Sequence, residues 1–369
     1  MRTVLWHSSK LPRLVIPPTL SSLDISFKDA TYAKSILSLP SPAYLQFIVI
    51  TGGDPELMQE SSILLLKCQS GLVKFCVDGS LPRAAFLHAS QLPNLLFFAA
   101  QSDGQESLDE KSLPKTMFPS IRWLGMEGLD TESIWLQYLP RIRPKSLETL
   151  LLGIENAITA RRTLGRAFAN IQPGGSHRTL RELIIHCRDD FPGLQVDGPL
   201  VEHLLPLTQL TNLVIHSICG ENQCGHKLSD EDLEKLVKTI SKLQYLELGK
   251  EQCCISASNS VKSLVSIARH FKHLKYLAIH TNVVAVLAVP FNVDRDDPTL
   301  GDKALVMRPL RNITFGPCSI PGKEAARTFA STLLRLFPNL RVVSSPNATP
   351  QWQSVSEMII SEMQSIAPA

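Results

Sequence analysis

A short apolar frame recurs along most of the chain and constrains its fold more than any other feature. In "LKYLAIH", Leu274, Leu277 and Ile279 occupy the first, fourth and sixth positions of seven residues. This frame occurs twelve times in all, with starts 23 to 36 residues apart. A single copy arises easily in a chain that is 44% hydrophobic, but the regular spacing of so many copies indicates an internal repeat. The frames begin at Leu20, Leu45, Leu72, Leu95, Ile121, Leu147, Leu180, Leu210, Leu243, Leu274, Leu310 and Leu340.

Helical periodicity fills several of the intervals between frames. Ser229 is a predicted N-cap, and Asp232 three residues later completes a capping box ahead of an apolar stripe. Residues 259–274 and 323–340 repeat the same plan. A proline two residues before a frame ends the helix and favours an extended chain. Three frames have this proline, at Pro93, Pro119 and Pro338.

One unit of this kind cannot fold alone. Burying an aliphatic side chain contributes about 1.5–3 kcal/mol, whereas ordering the backbone costs about 1–2 kcal/mol per residue. Stacked units share a core, and strands spaced ~4.8 Å apart against helices spaced ~8–10 Å apart bend the stack. We therefore predict an α/β solenoid, a curved horseshoe with a parallel sheet on its concave face and helices on its convex face. Because aromatic residues make up only 6% of the chain, we expect an aliphatic core.

The predicted domain boundaries follow the frames. Residues 1–19 form an N-terminal cap or truncated segment, and residues 20–346 form a solenoid of about twelve irregular repeats. Residues 347–369 form a C-terminal tail or capping helix.

The alternation of "LxxLxL" strands with helices resembles leucine-rich repeats. "FASTLLRLFPNLRVV", followed by a tail with Trp352, is similar to the fungal F-box leucine-rich-repeat proteins. This resemblance implies the substrate-recognition part of an F-box-type ubiquitin-ligase subunit, whose partner is a protein destined for ubiquitination. Because "LPRLVIPPTLSSL" runs directly into the first repeat, we expect the F-box itself to be absent and the ligase adaptor not to bind.

The third residue of each frame projects onto the predicted concave surface, because side chains alternate along a strand. Large aromatic side chains on a rigid surface are common anchors of protein recognition. The alternative is that they shield the sheet. Histidine recurs at the seventh position of three frames. The interpretations are a pH-sensitive rim, a metal site, or a strand end that only tolerates polar side chains. The candidate protein-binding residues are Phe47, Phe97, Trp123, Tyr245, Tyr276, His186, His216 and His280.

Two further segments have residue types that bind metals. Cys219, Cys224 and His226 are zinc-type ligands, but their spacing matches no standard zinc module, and reduced thiols are the simpler interpretation. Residues 288–309 interrupt the repeat, and their Asp294, Asp296 and Asp297 do not have EF-hand spacing, which favours a solvated loop that still offers a binding surface. We predict no metal and no cofactor.

The functional hypothesis is a non-catalytic protein-interaction module. No phosphate-binding glycine loop, nucleophile elbow or metalloprotease helix is present, so we predict that the chain is not an enzyme. The net charge of +3, without a Lys/Arg block, disfavours nucleic acid, and no apolar run reaches the ~20 residues of a membrane span. We expect a cytoplasmic or nuclear protein. The alternatives are a free-standing scaffold or inhibitor unrelated to ubiquitin, and a hydrolase that uses His186 or His216.

Overall fold

The computed structural model describes most of the repeat frames and the helices that follow several of them. The described residues are 3–6, 21–26, 45–51, 62–63, 65–66, 71–102, 114–129, 141–142, 146–154, 164, 168, 178–187, 196–216, 227–249, 260–279, 309–316, 318–346 and 349–366.

The first unit, Met1–Leu180, contains strands that pair in chain order, all of them parallel. A helix, α1 (Arg83–Gln91), connects the fourth strand to the fifth. The strands are β1 (Thr3–Trp6), β2 (Ser22–Ser26), β3 (Phe47–Thr51), β4 (Lys74–Leu81), β5 (Phe97–Ser102), β6 (Trp123–Leu129) and β7 (Thr149–Ile154).

The second unit, Arg181–Ala369, has the same parallel pairing in chain order. Its strands are β8 (Glu182–Cys187), β9 (Asn212–His216), β10 (Tyr245–Leu248), β11 (Tyr276–Ile279), β12 (Asn312–Phe315) and β13 (Val342–Ser344). Its helices are α2 (Gly198–Leu204), α3 (Asp230–Thr239), α4 (Val261–His270), α5 (Lys323–Leu336) and α6 (Pro350–Ile366). Parallel strands alternating with helices confirm the α/β class, and the leucine-rich-repeat solenoid stays a prediction. No helix in the described part of the chain has both the length and the apolar character to cross a membrane.

The repeat frame determines where the strands lie. Every strand from β2 to β13 begins at the third residue of its frame. In the ten frames from Leu45 to Leu310, the first, fourth and sixth residues are at most 6% exposed. The final frame departs from this pattern, because the Ser345 hydroxyl takes the sixth position and donates to the Gly316 carbonyl at 3.1 Å. Burial of three residues per frame thus explains the spacing seen in the sequence.

Strand β1 lies inside the segment predicted as an N-terminal cap. It pairs in parallel with β2, and Thr3 lies opposite Ser22. In sequence, Met1, Val4 and Trp6 occupy the first, fourth and sixth positions of the same frame. This copy was not predicted from the sequence, because Trp6 stands where an aliphatic residue is usual.

The core of the first unit is aromatic in one region, which corrects the expectation of an aliphatic core. Phe98 packs against Phe75, Phe86 and Phe118, with ring centroids 6.0, 5.7 and 5.1 Å away. Phe118 has a φ of 52°, and its N–H donates to the Ser90 carbonyl at 2.6 Å. Its left-handed backbone is tolerated because the ring is fully buried in this cluster. Composition averaged over the whole chain concealed this local concentration.

Two helices of the second unit are joined through one carboxylate. The capping box predicted for α3 is confirmed, since Asp232 N–H donates to Ser229 Oγ and Asp232 Oδ2 accepts from Ser229 N–H. The neighbouring Asp230 accepts from the N–H and Oγ of Ser260, the N-cap of α4, at 2.9 and 2.5 Å, and also from Ser263 Oγ. Burial raises the pKa of Asp230, but these hydrogen bonds outweigh it and hold the pKa below its usual value.

Helix α6 covers one end of the core of the second unit. It packs against α5 and β13. Trp352 is 3% exposed, its ring lies 5.6 Å from Phe315 and 5.8 Å from Phe329, and its indole N–H donates to the Cys318 carbonyl at 2.8 Å. The indole therefore attaches the helix by both apolar packing and a hydrogen bond.

Removal of this indole tests whether α6 is part of the folded core. Trp352→Ala should lower the free energy of unfolding by about 3–5 kcal/mol, because it leaves a cavity and an unpaired carbonyl. The measurement is guanidinium denaturation followed by circular dichroism. Ile360→Ala is the control, since Ile360 lies on the same helix at 47% exposure and should cost less than ~0.5 kcal/mol. Equal effects of both substitutions would show that α6 does not depend on Trp352.

Candidate protein-binding surface

Within each unit, the described third, fifth and seventh residues of the frames share one face of the strands, opposite the buried positions, and we call this face of a unit its open face. Strand register aligns the third residues into a row in each unit, and most of them are half-buried or exposed. In the first unit the row is Ser22, Phe47, Lys74, Phe97, Trp123 and Thr149. In the second unit it is Glu182, Asn212, Tyr245, Tyr276, Asn312 and Val342.

The first unit presents a stack of a cation and two aromatic rings. Phe97 and Trp123 lie opposite each other on β5 and β6, with ring centroids 4.0 Å apart and planes 8° apart. On the other side, Lys74 Nζ lies 4.6 Å from the centroid of the Phe97 ring. Such aromatic pairs contribute about 0.5–1.5 kcal/mol beyond their buried area. Phe47, a further candidate, lies opposite Lys74 and is half-buried.

A glycine makes room for the indole of Trp123. A Cβ at Gly125 would lie 2.6 Å from both Cζ3 and Cη2 of Trp123, so the ring lies directly over this glycine. Ala99 is the register partner of Gly125 on β5, and small residues therefore form the floor beside the stack. The sequence contained a signal for this feature, since a glycine inside a strand often marks a close approach.

The second unit presents two stacked tyrosines. Tyr245 and Tyr276 are register partners on β10 and β11, with ring centroids 4.3 Å apart and planes 8° apart. Tyr245 Oη donates to Glu247 Oε2 at 2.7 Å, and His216 Nε2 lies 2.7 Å from Glu247 Oε1. The stack is therefore tied to the sheet by one carboxylate that uses both of its oxygens.

These contacts shift the pKa values of Glu247 and Tyr245 in opposite directions. Burial raises the pKa of Glu247, but the hydrogen bonds from His216 and Tyr245 outweigh burial and lower the pKa below its usual value. Burial and the hydrogen bond to Glu247 raise the pKa of Tyr245 well above its usual value. At neutral pH the Tyr245 phenol therefore stays protonated and is fixed as a donor to an ionised carboxylate.

The predicted row of histidines is present in part. His186 and His216 are register partners on β8 and β9, as the frame predicts. Gly249 occupies the same position in the next repeat with a φ of 111°, a left-handed conformation that favours glycine. His280 lies outside the described residues.

The other candidate ligands fall outside the described residues: Cys219, Cys224, His226 and residues 288–308. Within the described ranges, no group of three or more His, Cys, Asp or Glu residues is arranged to hold a metal ion. A hydrolase that uses His216 requires a nucleophile beside the imidazole. The contact that the structure describes for His216 is with the Glu247 carboxylate.

Comparison of the chain with known protein families found no matching family model. No curated protein matches the chain either.

The fit between Gly125 and Trp123 can be tested with a double-mutant cycle. Gly125→Ala should displace the indole from Phe97 and lower the free energy of unfolding by about 1 kcal/mol. In a Trp123→Ala background the same substitution should be neutral or slightly stabilising, because no ring lies above it and alanine restricts the unfolded chain. The measurement is urea denaturation of the four proteins. An equal cost in both backgrounds would show that the ring does not lie over Gly125.

The Glu247 network predicts a pH-dependent contribution to stability. Because the folded-state pKa of Glu247 is lowered from 4.5, its contribution is present above pH 4.5 and is lost as the pH falls through the folded-state value. Glu247→Gln should therefore reduce the free energy of unfolding by about 1 kcal/mol at pH 7, and the difference should shrink as the pH falls below 4.5. Denaturant titrations across this range measure the difference. Glu357→Gln, at an exposed position on α6, should have little effect, and a wild-type advantage over Glu247→Gln that is constant with pH would contradict the prediction.

Proposed function

We propose that this chain is a non-catalytic protein-interaction module whose open face binds a protein partner. The observation that carries the proposal is the stack of Lys74, Phe97 and Trp123, which presents half-buried rings on neighbouring strands. Residues that dominate protein interfaces are most often Trp, Tyr and Arg, placed in well-packed surroundings. The stack supplies such an anchor at a small cost in conformational entropy, because its rings already restrain each other.

The tyrosine pair supports the same function in the second unit. Tyr245 is held by Glu247 and by Tyr276 before any partner arrives, and its ring remains half-buried. A partner therefore meets an ordered apolar surface, and ordering costs subtract little from its binding free energy. Tyrosine combines such an apolar ring with a polar group, a combination enriched at interfaces.

Within this module we propose the role of substrate recognition in an F-box-type ubiquitin ligase. What supports it is the resemblance of the repeats, and of the segment from α5 to Trp352, to the fungal F-box leucine-rich-repeat proteins. The partner would then be a protein marked for ubiquitination. The scaffold or inhibitor alternative uses the same open face, and the two differ in whether the bound partner becomes ubiquitinated.

Capture of partners with paired variants tests the interaction module. The tagged full chain, Trp123→Ala, Tyr245→Ala and the control Ile360→Ala are used to isolate proteins from the same extract, and circular dichroism verifies the fold of each. A partner of the open face should bind the wild type and the control but lose about thirtyfold or more in affinity for an aromatic variant, as truncation of an interface anchor does. Calorimetry with the purified partner measures this loss.

Two outcomes would overturn parts of the proposal. Partners that bind all four proteins equally would place recognition away from these aromatic residues. A partner that depends on the open face but whose ubiquitination in cells is unchanged when the chain is removed would exclude the ligase role and favour a scaffold or inhibitor.

A further inference from the structure

The second frame residues of the second unit form a separate row beside the open face. Backbone hydrogen bonds connect these residues from strand to strand: Arg311 N–H donates to the Lys275 carbonyl at 3.1 Å, and Arg341 N–H donates to the Arg311 carbonyl at 2.7 Å. Neighbouring members are therefore one strand spacing apart, about 4.8 Å. The full row is Arg181, Thr211, Gln244, Lys275, Arg311 and Arg341.

The last three members of the row are all cations, and we call Lys275, Arg311 and Arg341 the basic ladder. All three are exposed. Lys275 Nζ donates to Gln244 Oε1 at 2.9 Å, which positions the ammonium without neutralising it. Within the described ranges none of the three forms an ion pair with a carboxylate. Three like charges at strand spacing repel one another, so an anion that joined them would relieve this repulsion.

Four described carboxylates of the second unit have partners outside the ladder. Glu202 pairs with Lys235 and Glu234 with Lys238, both on helices, while Glu324 pairs with Arg327 on α5. Glu247 binds His216 and Tyr245 on the open face. Among the described residues, therefore, the ladder is exposed and no carboxylate is paired with it.

In the first unit, the second frame residues of two neighbouring strands carry opposite charges. At the second frame position of β6 and β7, Arg122 lies beside Glu148, with Arg122 Nη1 3.8 Å from Glu148 Oε1. An arginine at this position is thus compatible with a neighbouring acid in the same fold. The all-cationic arrangement of the ladder is consequently not imposed by the repeat geometry.

We propose that the basic ladder binds an acidic, extended peptide segment of a protein partner, a conclusion that rests on the proposed interaction function. Alternate side chains of an extended peptide lie about 6.6–6.8 Å apart on one side, so two or three carboxylates span the ~10 Å of the ladder. The guanidinium groups of Arg311 and Arg341 match carboxylates by bidentate hydrogen bonding. Tyr276, Asn312 and Val342 follow directly in the chain and offer an adjacent apolar and amide surface.

The length of the ladder favours a peptide over a nucleic acid. Binding of duplex DNA through its backbone commonly involves about 6–10 phosphate contacts, and the chain as a whole has a net charge of only +3. A row of three cations instead matches a short acidic segment. We therefore assign an acidic peptide and treat RNA as an opposing outcome of the test.

Fluorescence anisotropy with defined peptides tests the assignment on the full chain. The probes are a labelled twelve-residue peptide rich in Asp and Glu, the same peptide with Asn and Gln, and a uridine RNA of equal charge. We expect the acidic peptide to bind at least roughly tenfold more tightly than the neutral one, with affinity decreasing as salt rises. Lys275→Glu, Arg311→Glu and Arg341→Glu together should abolish this preference.

A matched variant controls for total charge. Lys262→Glu, Lys323→Glu and Arg327→Glu make the same change in net charge at exposed positions on α4 and α5, and should leave binding of the acidic peptide within about threefold of wild type. Equal losses in both triple variants, equal binding of the acidic and neutral peptides, or tighter binding of the RNA would each overturn the proposal. If the wild-type chain shows no preference for the acidic peptide but partner capture still depends on the aromatic residues, the ladder alone is refuted. If the wild-type chain shows the preference but partner capture does not depend on the aromatic residues, the aromatic site alone is refuted.

Discussion

Burial of three apolar side chains per repeat is the interaction on which the rest of the structure depends. In the frame from Leu243, for example, the first and fourth residues are fully buried and the sixth is 2% exposed. No single repeat buries enough surface to fold, so each strand is stabilised by the strands on either side of it. The stability of any one repeat in a unit is therefore a property of its neighbours as well as of its own residues.

This constraint also creates the candidate binding surfaces. Because the buried residues fix the register, the third residues of successive frames must lie side by side, and rings at this position stack at strand spacing. Trp123 on Phe97 and Tyr276 on Tyr245 are direct results. The second frame residues are aligned in the same way, which is why charges far apart in sequence form the basic ladder. Because the backbone register aligns these side chains, the residue type at each frame position determines which surface forms.

The sequence predicted the strand positions and the shared face of the third frame residues because both depend on spacing alone. Strand β1 was missed because its frame contains Trp6 rather than an aliphatic residue. The link from His216 through Glu247 to Tyr245 was not predicted, since it joins the seventh residue of one frame to the fifth of the next and depends on rotamers. The Phe118 cluster requires a left-handed backbone, which no local pattern of large apolar residues indicates.

The carboxylate of Asp230 makes the N-terminus of α4 depend on α3. Helix α3 carries its own cap in Ser229 and Asp232, whereas Ser260 at the start of α4 is oriented by Asp230 from the preceding repeat. Fraying of α3 would therefore remove the carboxylate that orients the Ser260 cap of α4, while fraying of α4 leaves the α3 cap intact. Disruption in this part of the chain should spread toward the C-terminus more readily than toward the N-terminus, because Asp230 orients the cap of the helix that follows it.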